Sequence, residues 1–449
     1  MAPTGRAGSR RALSGGGDRI VSEVMDSNFP PVMEIAARKR PVRAVVRPPG
    51  SKSITNRALV VAAMAGGGAS RLEGPLEADD TEVMRTGLRS LGVLIDDADD
   101  PWLVLGTGGE FSTPEGVLDV GASGTTARFL TAVAALCPGE VTIDGTGRMR
   151  ERPIGDLASA LGEAGVEVRT RGGYPPLTVG GGEFRGGQIT VDVSRSSQFL
   201  SAVLMVAPMA REETVIRTRG DMVSGPYVQT TLEVMMAFGA AVEPEGGAFR
   251  VRPDGYRSST FEVEADASAA VYPMAAAAIT GGVVGIEGLS PGSTQADVGM
   301  VEVLAEMGCS VRWQGARLVV EGPPGGALRG VDRDMGGMPD AALGLSVMCL
   351  FADGPSRLRR LGTLRLKETD RLAALATEVS RAGGDAVVDR DDLVIRPGSL
   401  RPARFRTYDD HRMAMSFALV GLRQEGVEIS DPGCVTKTWP GYFTMLESL

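Results

Sequence analysis

The sequence predicts an α/β protein of two domains, each built from three repeats of strand and helix around buried, parallel helices. Three observations lead there. First, six short polar clusters recur at a nearly constant interval: SKSITNR from Ser51, SGTTAR from Ser123, SSQF from Ser196, DASAA from Asp266, PDAA from Pro339 and DHRM from Asp410. With Ser53, Thr125, Ser197, Ser268, Asp340 and His411 as markers, the spacings are 72, 72, 71, 72 and 71 residues. Second, each cluster opens into small apolar residues, such as ALVVAAMA, LTAVAALC and SFALVGL, which read as helices enclosed by protein because nearly every face is apolar. Third, a β-rich run closing on Gly74, Gly145, Gly220, Gly288 or Gly362 leads into an amphipathic helix that ends at Gly92, Gly165, Gly239, Gly308 or Gly383. Glycine is the usual residue just past a helix end, where the chain turns left-handed.

A unit of about 70 residues is longer than the ~20–45 of a solenoid repeat, and six such units fit two domains better than one. Grouping them three and three makes residues 51–265 an N-terminal domain. The C-terminal domain then comprises 31–50 plus 266–449, with crossings near Pro48-Pro49-Gly50 and at Glu264 to Asp266. Residues 1–30, rich in Gly, Ser and Arg without apolar periodicity, read as a disordered extension. Each polar cluster supplies Ser, Thr or Asp where a helix N-cap would sit. If both domains aim those helix starts at one cleft, free N–H groups and helix dipoles make it an anion site.

Composition excludes several classes. With 43 % hydrophobic and 23 % charged residues the chain is an ordinary globular one. No stretch approaches the ~20 apolar residues of a membrane span. Net charge is −9, which argues against nucleic acid or an acidic membrane as partner. Cys137, Cys309, Cys349 and Cys434 are widely spaced and read as reduced thiols. Asp18, Glu23 and Asp26 break the acid-poor pattern of a transit peptide. A cytoplasmic monomer acting on small molecules is expected.

Scarce residues mark the site. Among 47 basic residues only Lys39, Lys52, Lys367 and Lys437 are lysine, and three of them stand in PGSKS, RLKETDR and VTKTWP. The one histidine, His411, stands in DDHR. Taken singly, each motif has an ordinary reading. PGSKS is a capped helix start that fails the P-loop spacing, KETDR a solvated helix end, and Ser196-Ser197 a pair of caps. Their shared position in the repeat favours function.

The motifs PGSKSITNRAL, GTTARF, RMRERPIG, SSQFLSAVLM, MPDAAL, LKETDRL and DDHRMAMSFALV resemble, in order and spacing, those of the 5-enolpyruvylshikimate-3-phosphate synthase family over residues ~40–445. The resemblance implies two inside-out α/β barrel domains of three βαβαββ repeats each. It also implies transfer of the enolpyruvyl group of phosphoenolpyruvate to shikimate 3-phosphate, with no cofactor and no metal. By similarity, Lys52, Ser53, Arg57, Ser196, Ser197, Gln198, Ser224, Tyr227, Asp340 and Lys367 hold shikimate 3-phosphate. Lys52, Gly124, Arg128, Arg148, Gln198, Arg371, His411, Arg412 and Lys437 hold phosphoenolpyruvate. Asp340, Glu368 and Lys52 carry the proton transfers, in an order the sequence leaves open.

Ala122, Phe129 and Thr363 depart from the Asn, Pro and Asn usual at those positions, which leaves the response to glyphosate open. The other enolpyruvyl transferase, which loads UDP-N-acetylglucosamine, remains an alternative, although its S-G-A-K-N-A opening and its Cys after Gly145 are absent. A non-catalytic anion-binding protein on the same scaffold is the other.

Overall fold

The computed structural model describes residues 29–449. Most of the predicted N-terminal extension lies outside these residues, but Phe29 belongs to the fold and packs edge-on against Phe443 at 6.0 Å. Twelve α-helices alternate along the described chain: α1 Lys52–Met64, α2 Asp79–Ser90, α3 Gly124–Ala134, α4 Gly155–Glu163, α5 Ser197–Val206, α6 Pro226–Ala237, α7 Ala267–Thr280, α8 Met300–Glu306, α9 Ala342–Met348, α10 Arg371–Ala382, α11 His411–Gly421 and α12 Tyr442–Ser448. The odd-numbered helices are the predicted apolar ones. Every residue of α3, α7, α9 and α11 is buried. Such helices cannot lie on a surface.

Six sheets of three or four strands wrap them, beside a two-stranded pair of Tyr256–Arg257 with Ala65–Gly66, and five of the six share one strand order. Leu118–Asp119 runs parallel to Val141–Asp144, which pairs antiparallel with Tyr174–Val179 and so with Val168–Arg171. Gly187–Asp192 repeats this with Thr214–Arg219, Ala248–Val251 and Val242–Glu245. In two sheets the parallel strand comes from a distant part of the chain. Thr260–Glu262 pairs with Ala69–Glu73, and Arg43–Val46 with Val283–Ile286. Val32–Ile35 closes the sixth sheet against Val427–Ser430. The buried apolar residues form two clusters, one from Ile54 to Val263 and the other from Ile35 to Val46 plus Ala265 to Leu446. Where the chain passes between them, its two strands run side by side: Ser51 N–H donates to the Glu264 carbonyl and Asp266 N–H to the Pro49 carbonyl, both at 2.8 Å.

The glycines expected to end the amphipathic helices behave alike. Gly92, Gly165, Gly239, Gly308 and Gly383 have φ between 88° and 106°, a region where a Cβ would clash with the backbone.

The caps depart from expectation. Ser123, Ser196, Asp266 and Asp410 cap α3, α5, α7 and α11 with their own side chains. Ser51 makes no such bond; the Lys52 N–H at the start of α1 donates instead to Asp266 Oδ2 at 3.0 Å. One carboxylate thus caps the first central helix of both halves. Asp340 does not cap α9 either, because its oxygens face three cations.

Burial decides what substitution costs. Leu200→Ala in α5, where the side chain is fully buried, should lower the unfolding free energy by about 2–5 kcal/mol. Leu94→Ala on the outer face of a sheet, where Leu94 is 66 % exposed, should stay within about 0.5 kcal/mol. Urea unfolding of both variants measures the contrast.

Candidate active site

The starts of α1, α3 and α5 converge on a cleft between the two apolar clusters. It encloses about 890 Å³, part of it open to solvent. Lys52, Ser53, Arg57, Gly124, Arg128, Ser196, Ser197, Gln198, Ser224 and Tyr227 line one side. Asp340, Lys367, Glu368 and Arg371 line the other. The 72-residue repeat explains the convergence: equivalent helices start at equivalent heights, so their polar first turns meet. Hydrogen bonds close the cleft. Arg148 donates to the carbonyls of Lys367 (3.0 Å) and Arg365 (2.9 Å), Lys437 Nζ to the Ala122 carbonyl (3.0 Å), and Thr436 to Asp79 (2.6 Å).

At its centre Arg371, the first residue of α10, is buried with a split role. Nε donates to Asp410 Oδ2 at 2.6 Å, Nη1 to Asp340 Oδ1 at 3.0 Å, and Nη2 lies 2.9 Å from Glu368 Oε2. Asp340 also meets Lys367 Nζ at 3.3 Å and Arg412 Nη2 at 3.2 Å. Burial alone would raise the Asp340 carboxyl, but Lys367, Arg412 and Arg371 together hold it well below the usual carboxylate range. Glu368 behaves likewise: against burial, Arg371, Lys437 and Arg152 hold it well below its ordinary value. Two ionised carboxylates therefore share one guanidinium, and the cations around them outnumber them.

Arg57 is the most engaged of the wall. It donates to Thr231 (2.7 Å), the Ser53 carbonyl (2.8 Å), Ser201 and the Tyr227 carbonyl (both 3.3 Å), over the ring of Phe129 at 5.2 Å. Burial pushes its pKa down to about 10. Phe129 thus supports Arg57. Gln198 donates to Thr125 at 3.2 Å, and Ser224 adopts a left-handed φ of 52° at the cleft edge.

The structure places several of the expected residues in unexpected company. Arg148 ties the halves together through the carbonyls of Lys367 and Arg365, and Arg152, four residues on in RMRERPIG, lines the cleft. Gly124 lines the cleft, and a Cβ there would lie 2.3 Å from Arg152 Nη2, so its lack of a side chain leaves room for that guanidinium. His411 is fully buried behind the wall, both ring nitrogens lack a hydrogen-bond partner, and burial with Arg412 and Lys52 nearby holds it neutral, well below its usual range. Arg412 and Lys437 are nearly buried at the same place, touching Asp340 and Glu368 respectively.

The sequence reading missed Asp80, which binds Lys52 Nζ at 3.2 Å and lies 3.6 Å from Lys437 Nζ. It also missed Asp410, which anchors Arg371, and Asp297, which accepts from Ser268. Asp410 could have been found from DDHR itself. Asp80 and Asp297 sit in unremarkable stretches. Among the described residues no group of three or more His, Cys, Asp or Glu is placed to hold a metal ion.

Asp297 is fully buried, and desolvation, reinforced by Asp340, pushes its pKa up to about 6. A carboxyl raised on folding binds a proton more tightly in the native state, so stability falls as pH rises from about 4 through about 6. Asp297→Asn, which keeps an acceptor for Ser268, should flatten that fall and add on the order of 2 kcal/mol at pH 7. Urea midpoints between pH 4 and 7 test it; parallel curves for the two proteins would contradict the assignment.

Comparison with known proteins agrees on one family. Residues 37–446 match the family model for EPSP synthase (3-phosphoshikimate 1-carboxyvinyltransferase). A protein of Nostoc punctiforme named 3-phosphoshikimate 1-carboxyvinyltransferase is 42 % identical over 420 residues, covering 92 % of this chain and 97 % of its own. The namesake from Thiobacillus denitrificans is 43 % identical over 421 residues, with coverage of 92 % and 97 %. The solved EPSP synthase of Acinetobacter baumannii superposes with a TM-score of 0.76 at 25 % identity, covering 93 % of this chain and 97 % of that one. The enolpyruvyl transferase NikO of Streptomyces tendae shares the fold, with a TM-score of 0.70 at 19 % identity and coverage of 93 % and 96 %.

Proposed function

The chain belongs to the EPSP synthase family, and from that premise we propose how its residues carry the reaction. That reaction is the transfer of the enolpyruvyl group of phosphoenolpyruvate to the 5-hydroxyl of shikimate 3-phosphate, with release of inorganic phosphate. It is a step of the shikimate pathway towards chorismate and the aromatic amino acids. The observation that carries the residue reading is the pair Asp340 and Glu368 sharing Arg371 at the centre of a cationic cleft.

The two substrates bring two carboxylates and two phosphates. Arg371, Arg152, Arg128, Lys52 and Lys437 are the cations nearest Glu368, and they take phosphoenolpyruvate, with Gln198 and Arg412 beside it. Ser53 and Arg57 take the carboxylate end of shikimate 3-phosphate, Tyr227 and Gln198 its ring, and Ser196, Ser197, Ser224 and Lys367 its phosphate. Arginine suits the planar carboxylate and lysine the compact phosphate.

Proton chemistry follows from the electrostatics. In the free site Asp340 and Glu368 are held ionised by cations. Anionic substrates neutralise those cations, so binding itself raises the proton affinity of both carboxylates into a useful range. Asp340 accepts the proton of the 5-hydroxyl as its oxygen attacks C2 of phosphoenolpyruvate. Glu368, protonated once the bound anions have raised its proton affinity and with Lys52 beside it, delivers that proton to the methylene carbon. In the second half the methyl group returns a proton to Glu368 while the C–O bond to phosphate breaks, and the proton held by Asp340 leaves with the inorganic phosphate. Residues 51–265 and 31–50 plus 266–449 act as the two domains, hinged where Ser51 meets Glu264. The protein acts as a monomer in this reading, and the four unpaired cysteines fit a reducing cytoplasm.

Phosphate release from phosphoenolpyruvate with shikimate 3-phosphate, beside a UDP-N-acetylglucosamine control, tests the whole reading. Release with the first alone is expected; release only with the nucleotide sugar would reassign the substrate, and binding without turnover would make the protein a non-catalytic binder. Glu368→Gln should retain phosphoenolpyruvate binding while kcat falls about 10²- to 10⁴-fold, and near-normal turnover would remove Glu368 from the mechanism. Arg152→Gln should raise the KM for phosphoenolpyruvate about tenfold or more, as expected for a lost charged hydrogen bond. Steady-state kinetics that showed this loss in Arg148→Gln instead would restore the assignment to Arg148.

A further inference from the structure

Arg195 immediately precedes Ser196-Ser197 and lines the cleft. Unlike the other arginines of the wall, it donates no hydrogen bond among the described residues. Arg57 donates to two carbonyls and two hydroxyls, Arg128 to the Gly124 and Pro153 carbonyls, Arg152 to the Ala122 carbonyl, and Arg371 to Asp340 and Asp410. The one ionic neighbour of Arg195 is Asp156 Oδ2 at 3.9 Å, too far for a hydrogen bond. Asp156 competes weakly for it, since Oδ2 is buried without a hydrogen-bond partner and burial raises its proton affinity. Meanwhile Lys367, the cation assigned to the same phosphate, is committed to Asp340 at 3.3 Å. A phosphate ester seated on Ser196, Ser197 and Ser224 would carry up to two charges against one shared ammonium.

We propose that Arg195 is a further substrate-binding residue, whose guanidinium leaves Asp156 and takes the phosphate ester of shikimate 3-phosphate. The inference rests on the reading that the Ser196-Ser197 turn seats that phosphate. A solvated guanidinium lining the cleft, 56 % exposed, can meet the ester as it enters and present two parallel N–H groups to its oxygens. The unphosphorylated ring would gain nothing from it, so Arg195 selects for the phosphorylated substrate. Because the side chain is solvated, its contribution is screened by salt.

Calorimetry of the whole protein with shikimate 3-phosphate and with shikimate, at low and high salt, tests this in Arg195→Gln, Asp156→Asn and Ser197→Ala. Arg195→Gln should weaken shikimate 3-phosphate about 3- to 10-fold, leave shikimate unchanged and flatten the salt dependence. Asp156→Asn should not weaken it. Unchanged affinity in Arg195→Gln alongside a loss in Ser197→Ala would overturn the role of Arg195 and keep the serine site. Unchanged affinity in both would overturn both readings. Equal weakening of shikimate, or the same loss in Asp156→Asn, would show that Arg195 only braces the loop.

Discussion

The site depends on one buried guanidinium. Arg371 has no solvent to satisfy it, so its donors must find acceptors in protein, and it finds three carboxylates from two repeats: Asp340 and Glu368 of one and Asp410 of the next. Asp410 also caps α11 through the Arg412 N–H at 2.9 Å, so it is fixed by the fold and in turn fixes Arg371. The planar fork then holds Asp340 and Glu368 on one side of the cleft. Loss of Arg371 would strand the buried charge of Asp410, an outcome costing roughly 3–5 kcal/mol in other proteins. Geometry that costly to disturb is geometry that stays in place through a reaction.

The cleft gathers cations. Burial, the larger cause, and a neighbouring cation lower the proton affinity of Arg128, Arg152 and Lys367, with Arg152 acting on Arg128 and Arg371 on the other two. Asp80, Asp340 and Glu368 relieve part of that repulsion in the free protein. Asp340 and Glu368 thus take their charge state from the cations gathered around them.

Closure and the hinge share a device. Asp266 caps α7 with one oxygen and receives the first N–H of α1 with the other, exactly where the chain crosses between the two apolar clusters. A movement of one half against the other would have to keep or break that bond, which puts Lys52 and Ser53 under the control of the crossing. Arg148 supplies the opposite clasp by donating to two carbonyls of the loop before Glu368.

Much of this was legible in the sequence because repetition is a statement about chain geometry. Five spacings of 71 or 72 residues between polar clusters, and glycines closing the amphipathic helices, determined the alternating helices and their buried faces, since periodic apolar pattern and left-handed turns are local properties. The motifs likewise named Asp340, Glu368, Lys367 and Arg371. What only the tertiary structure decided is which neighbour each polar group meets. Arg148 and Arg152 differ by four residues, and only the path of the loop turns one to the carbonyls of the other half and the other to the cleft. Ser51 looks like a cap, yet Asp266 from 215 positions away takes the bond. Asp80 and Asp297 carry no sequence signal, because a carboxylate becomes functional through the charges that surround it, and those arrive from elsewhere in the chain.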